Sequence, residues 1–300
     1  MSYSSETASK NPTVELPVFE DVLVSVFESV ESRGQRGLET GFFELDDMTN
    51  GLQNGELIVI ASRPSIGKTT LAMNILEHVA ADSKLPCAVF TLEMTKEQFA
   101  QRMMCSRSQL DAHKLRKGML QAHEYQHLAN VIGELANAPL RLSAVPGATL
   151  DELCALARLA VTTHGAKLLM VDYIQLIEAR GESRTEQLTL ISRRLKALAL
   201  ELNVPIICTS QLNRGMFQPD APRPRMEDMR GSGTIEDEAD LVILLHREDY
   251  YRMSEPDFQP DNIAEVIIAK QRNGPTGTVK LTFMNKTTRF ENLATGSDPF

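Results

Sequence analysis

Three hundred residues suffice for one large domain with short appendages. A hydrophobic content of 42% and the lack of any membrane-length apolar run exclude a membrane-embedded chain, and the polar start, Met1 to Pro12, carries no secretory signal. The net charge of −9 argues against a protein coated in nucleic acid, while Cys87, Cys105, Cys154 and Cys208 lie far apart without ligand-like spacing, so a reduced, cytoplasmic protein is expected.

In chain order, residues 1–16 read as a flexible leader. Pro17 to Glu31 places Phe19, Leu23, Val26, Phe27 and Val30 on one helical stripe, and Arg33 to Gly37 tethers this helix to the body. The stripe needs a cover, either the chain's own core or a groove on a neighbouring subunit. Residues 17–40 are therefore a linker helix and tether, 41–292 the main domain, and 293–300 a tail.

The organising stretch is Glu56 to Leu71, ELIVIASRPSIGKTTL. A strand, an anion-binding turn and a helix follow one another, as a nucleotide phosphate loop requires. Ser62, Arg63, Pro64, Ser65, Ile66, Gly67, Lys68, Thr69 and Thr70 form the expected cradle for ATP. Backbone amides and Lys68 would meet the phosphates, and the Thr69 hydroxyl would reach Mg²⁺. Ser62 stands where the motif usually has its first Gly, and is small enough to keep the loop close.

Downstream, Cys87 to Thr91, Leu140 to Leu142, Lys167 to Asp172 and Pro205 to Ser210 read as strands between helices. The intervening helices are expected at Thr69–Ala81, Lys96–Ser106, Ala122–Leu135, Thr149–His164 and Thr185–Leu202. The fourth opens with a capping box, Thr149 to Glu152, and stops at Gly165. Asp240–Leu245, Ala264–Lys270, Val279–Met284 and Thr288–Glu291 are late strands. The pattern predicts an α/β fold, a mostly parallel sheet flanked by helices with antiparallel strands at its C-terminal edge.

Three polar residues fall at strand ends, where such sheets bind ligands. Asp172 could hold the Mg²⁺ shell, Glu93 could deprotonate the attacking water, and Gln211 could sense the γ-phosphate. Lys270 and Arg272 sit in a turn, Lys270–Pro275, expected to expose them at a hairpin tip, either as solvated cations or as arginine-finger-type groups reaching another subunit's nucleotide. From Arg180 to Arg230, nine basic residues outnumber six acidic ones, consistent with a strand-binding path or a solvated mixed-charge face. His123-Glu124-Tyr125-Gln126-His127 fits the zinc pattern H-E-x-x-H, but on a polar helix with no third ligand signalled; a surface helix is expected.

Together, the blocks TGFFELDDMTNGLQNGELIVIASRPSIGKTTLAMNI, TLEM, VDYIQLI, ISRRLKALALELNVPIICTSQLNR, RGSGTIEDEADLVILLHREDYY and KQRNGPTGTVKLTF resemble the RecA-type motor domain of the DnaB family of replicative DNA helicases, from about Gly41 to Asn292. The resemblance implies a RecA-like P-loop NTPase, a homohexamer with ATP and Mg²⁺ between subunits, and five-prime to three-prime movement on single-stranded DNA. It assigns Lys68 and Thr69 to phosphate and Mg²⁺, Glu93 to the base, Asp172 to the metal shell, Gln211 to sensing, and Lys270 and Arg272 to the neighbour's γ-phosphate. Arg230, Gly231 and Gly233 match the loop that grips DNA, although Gly231 replaces the family's common Glu. A helicase loader and primase are implied partners, but the primase-docking helical domain of the family is not found ahead of the linker helix. The competing reading is a RecA-like regulatory or clamp ATPase that does not unwind DNA.

Overall fold

The computed structural model describes residues 18–31, 36–212, 223–229, 235–253 and 258–293. The chain divides into two units, Met1–Arg36 and Gly37–Phe300. In the first, helix α1 (Phe19–Glu31) carries exposed Phe19, Leu23, Val26 and Phe27 along one face.

The second unit opens with helix α2 (Phe43–Thr49), which the apolar pattern does not announce. Buried Asp46 accepts the amides of Thr40 at 2.8 Å and Gly41 at 3.3 Å, fixing the chain's entry. Burial lifts its carboxyl above the usual range, against the pull of those amides.

The apolar runs become strands β1 (Leu57–Ser62), β2 (Cys87–Thr91), β3 (Leu140–Ala144), β4 (Leu168–Asp172), β5 (Ile206–Gln211) and β6 (Leu241–His246). Strands β7 (Ile263–Gln271), β8 (Gly277–Met284) and β9 (Arg289–Asn292) follow. They form one sheet in the order β3-β2-β4-β5-β1-β6-β7-β8-β9. Pairing is parallel from β3 through β6 and antiparallel from β6 to β9, as the sequence predicts.

Every residue of β1 is buried, so its alternation feeds two cores rather than one core and solvent. Ile58 and Ile60 face a cluster with helices α3 (Lys68–Glu77) and α4 (Lys96–Ser108) and with Phe283 and Phe290. Helices α5 (Ala112–Lys117) and α6 (Ala122–Ala136) extend from α4. Leu57, Val59 and Ala61 face the other cluster, built with helices α7 (Leu150–His164) and α8 (Arg184–Leu202).

The helix after the phosphate loop is shorter than its pattern suggests. From His78 to Asp82 the chain widens into a π turn, closed by the Ser83 amide on the His78 carbonyl at 3.0 Å. Helix α7 opens on the Thr149–Glu152 capping box and stops at Gly165, whose φ of +67° suits glycine. The four cysteines are buried and free, and burial pushes the Cys87 thiol up to about 12. Among the described residues no helix is long and apolar enough to cross a membrane.

Candidate nucleotide site

The parallel pairing brings the carboxyl ends of four strands to one edge. Ser62 at the end of β1 pairs with Gln211 at the end of β5, and Thr91 at the end of β2 pairs with Asp172 at the end of β4. The sequence-predicted strand-end groups and the phosphate loop therefore share one rim.

The loop from Ser62 to Gly67 is held in place by its own bonds. Ser62 is fully buried and its hydroxyl donates to the Arg63 carbonyl at 2.7 Å. Ser65 adopts φ +64°, an uncommon left-handed conformation for a side-chain-bearing residue and one that turns amides inward. Gly67 follows at φ +120°, and a Cβ there would stand 3.0 Å from the Phe290 ring. Helix α3 then starts at Lys68, so its unpaired first amides and positive dipole end face the loop's concavity.

Asp172 is completely buried. One oxygen, Oδ1, accepts the Thr69 hydroxyl at 2.9 Å and the Thr209 hydroxyl at 2.5 Å. The other, Oδ2, is buried without a hydrogen-bond partner among the described residues. A buried carboxylate oxygen left unpaired beside the Thr69 hydroxyl suits a hard cation, so the donor set fits Mg²⁺. The Lys68 ammonium lies 5.2 Å from the centre of the Tyr173 ring, within cation–π range.

Glu93 is exposed between buried Leu92 and Met94. The Met94 amide donates to Thr91 Oγ1 at 3.1 Å and the Leu92 amide to the Asp172 carbonyl at 2.8 Å, which shapes the turn that presents Glu93. Burial raises the Tyr173 phenol above its ordinary value, and the Glu93 and Asp172 charges add to that. Gln211 is half-buried, and Gln175 clamps its backbone. Gln175 Oε1 accepts the Gln211 amide at 3.2 Å, while its Nε2 donates to the Gln211 carbonyl at 3.0 Å and to Ser210 Oγ at 2.8 Å. Sequence reading passed over Gln175 and Thr209; the one hint was a Gln three residues beyond the strand-end Asp in VDYIQLI.

Lys270 and Arg272 correct an expectation in part. Arg272 opens the β7–β8 turn and is exposed, as expected, but Lys270 lies within β7, and the register beside β6 brings both side chains to acceptors on the segment preceding β6. Lys270 Nζ donates to the carbonyls of Glu236 and Asp237 at 2.7 and 3.0 Å, on the short helix α9 (Ile235–Glu238). Burial, and the Arg272 cation beside it, push that ammonium below its usual value. The Arg272 guanidinium donates to Asp240 Oδ1 at 3.1 Å and to the Asp237 carbonyl at 2.8 Å. Both cations lie away from this chain's own cradle. Arg272 donates its amide to the Asp240 carbonyl, and Asp240 donates its amide to the Leu57 carbonyl, so Arg272 is level with the first residue of β1. The phosphate loop leaves the last residue of that strand, roughly 16 Å away at about 3.3 Å per residue.

The excess of basic residues after Arg180 is largely occupied. Arg193 pairs with Glu238 at 2.9 Å, Arg194 with Asp151 at 3.1 Å, Lys196 with Asp240 at 2.7 Å and Arg223 with Glu265 at 3.0 Å. Arg214, and the expected DNA loop of Arg230, Gly231 and Gly233, lie outside the described residues. The H-E-x-x-H stretch is on α6, where Glu124 accepts the Gln121 amide at 2.7 Å as a helix cap and His127 Nε2 lies 3.0 Å from the Ser108 carbonyl. Among the described residues no three His, Cys, Asp or Glu side chains are grouped to hold a metal.

A parallel sheet with this loop, a buried aspartate beside the loop threonine and late antiparallel strands is the fold of RecA-like P-loop ATPase domains. A solved ATPase domain superposes with a TM-score of 0.87 at 34% identity, covering 93% of this chain and 100% of its own. A DnaB-like replicative helicase solved with its interactions with primase gives 0.82 at 35% identity, covering 93% of this chain and 68% of that one. Residues 37–292 match the DnaB-like helicase C terminal domain, and the chain belongs to that family. Curated relatives include the replicative DNA helicase DnaC of Bacillus subtilis (strain 168), 41% identical over 296 residues, 96% of this chain and 64% of the relative. The replicative DNA helicase DnaB of Geobacillus stearothermophilus is 42% identical over 281 residues, 91% of this chain and 61% of the relative. The chain thus spans about three-fifths of the length of these curated relatives.

Proposed function

We propose that this chain is the ATP-driven motor of a replicative DNA helicase, working as a homohexameric ring that moves five-prime to three-prime along encircled single-stranded DNA. Family membership supports the class, and one observation carries the ring. The cradle and the paired cations Lys270 and Arg272 sit at opposite ends of β1, farther apart than an arginine side chain spans, while the guanidinium is held ready for use. Cations so placed serve a nucleotide bound to another copy. The exposed stripe of α1 supplies an apolar face for a neighbour in the same assembly.

Within one site, the amides around Ser65 and Gly67 and the Lys68 ammonium hold the triphosphate and neutralise its charge. Thr69 and Asp172 hold Mg²⁺, which when bound neutralises charge on the β- and γ-phosphates. Glu93 accepts a proton from the attacking water, and its exposure leaves it open to that water. Gln211 reads the presence of the γ-phosphate from the end of β5. Arg272 and Lys270 of the neighbouring copy stabilise charge on the transferring group. Domain limits of 1–16, 17–40, 41–292 and 293–300 remain the working division. A loader and primase are proposed protein partners of the complete ring.

Two measurements test this together: ATP turnover with and without single-stranded DNA, and strand displacement from a forked duplex. DNA-stimulated turnover with displacement is expected. Absence of turnover in both conditions would defeat the motor reading, and turnover without displacement would establish the clamp ATPase instead.

A further inference from the structure

Of the two cations assigned to the neighbour's nucleotide, Arg272 is held by an acidic side chain, Asp240, to which the sequence reading gave no role. Asp240 is 5% exposed and directly precedes β6. Its Oδ2 accepts the Leu57 amide at 2.8 Å and the Lys196 ammonium at 2.7 Å, and Lys196 also donates to the Gly55 carbonyl at 2.9 Å. The carboxylate is therefore pinned to the start of β1 and to α8 before it touches Arg272. Its other oxygen, Oδ1, takes the Arg272 guanidinium at 3.1 Å, and the Asp237 carbonyl takes the second terminal nitrogen at 2.8 Å. Among the described residues two donors of five are used, which leaves three N–H groups of a half-exposed guanidinium for an outside anion.

We infer that Asp240 is the positioning residue of Arg272: its fixed carboxylate sets the direction in which the guanidinium leaves this subunit toward the next subunit's nucleotide. This rests on the reading that Arg272 acts across an interface. An arginine left to its own rotamers would have to be ordered at each turnover, whereas one tethered at both terminal nitrogens is already aimed. A planar guanidinium can hold two internal acceptors and still present a fork outward, which an ammonium cannot do. Of the two carboxylate oxygens, Lys196 bonds only the one that the Leu57 amide also holds and does not bond Arg272, so its loss leaves the oxygen facing the guanidinium in place.

The test is steady-state turnover of the full chain with ATP, Mg²⁺ and single-stranded DNA, resolved into kcat and KM, for Arg272→Ala, Asp240→Asn, Lys196→Met and Lys196→Met/Asp240→Asn. Asp240→Asn strands a largely buried lysine without its counter-charge and can fail to fold. The double variant removes both charges and keeps the experiment readable. Arg272→Ala is expected to lose about a thousandfold or more in kcat. Both Asp240→Asn and the double variant are expected to lose roughly ten- to a hundredfold in kcat with KM within about threefold, while Lys196→Met keeps kcat within about threefold. A folded double variant with wild-type kcat, beside a collapsed Arg272→Ala, would overturn the positioning role and leave the interface reading standing. Equal losses in Lys196→Met and Asp240→Asn would also overturn it, assigning the pair to packing. Full turnover in Arg272→Ala would overturn the interface reading and this inference with it.

Discussion

Replacing Gln175 with Leu tests whether the end of β5 is held by the single helical turn, Ile174–Leu176, that follows β4. The change removes three hydrogen bonds at once, to Ser210 Oγ and to both backbone groups of Gln211, at 2.8, 3.0 and 3.2 Å. Ser210 is fully buried, so its hydroxyl loses a donor that water cannot readily replace. At a net value of about 1 kcal/mol per bond, with some recovery from burying an apolar side chain, the loss is about 2–3 kcal/mol. In a unit of this size that lowers the thermal midpoint by roughly 4–10 °C. The same change frees Gln211, so kcat for ATP is expected to fall about tenfold or more with KM little altered. Calorimetry and steady-state turnover on one preparation provide both readings. A midpoint within about 1 °C of wild type would refute the energetic reasoning. A midpoint lowered as expected with kcat unchanged would refute the link between Gln175 and the function of Gln211.

Other outcomes follow from the same geometry. Asp172→Asn is expected to abolish the Mg²⁺ dependence of nucleotide affinity while metal-free affinity stays within about threefold, measured by titrating a fluorescent nucleotide; unchanged dependence would remove Asp172 from the metal shell. Gly67→Ala places a side chain at φ +120° and 3.0 Å from Phe290. A cost of about 1–3 kcal/mol in thermal or denaturant unfolding is expected, with weaker nucleotide binding, and Phe290→Ala should relieve only the crowding because the backbone strain persists. Burial holds the His246 imidazole below its ordinary value of 6.5, against the opposing charge of Glu248. Below that pH the unfolded imidazole takes up a proton that the folded one resists, so His246 lowers stability as pH falls. His246→Gln should flatten that part of the unfolding profile relative to wild type, and parallel profiles would contradict the assignment.

Much of the sheet was legible because β1, β2 and β4 are unbroken apolar runs ending in small or polar residues, a pattern that survives without tertiary information. The candidate phosphate loop was legible for the same reason, since strand, glycine-bearing turn and helix follow one another along the chain. Partnerships across the fold were not. Gln175 reaches Gln211 across 36 residues and Asp240 reaches Arg272 across 32, and periodicity says nothing about either. The short helices α2 and α5 also escaped, being too brief for a helical stripe. Lys270 and Arg272 were singled out with two roles left open, and their internal acceptors could not be foreseen, because Asp237 and Asp240 come beside them only through the β6–β7 register.

The sharpest test of a site shared between copies is turnover per chain as protein concentration falls, with molecular mass measured in parallel in ATP, Mg²⁺ and single-stranded DNA. Turnover should appear only where rings appear and decline with them on dilution. A monomer hydrolysing ATP at the rate of the ring would contradict the shared site.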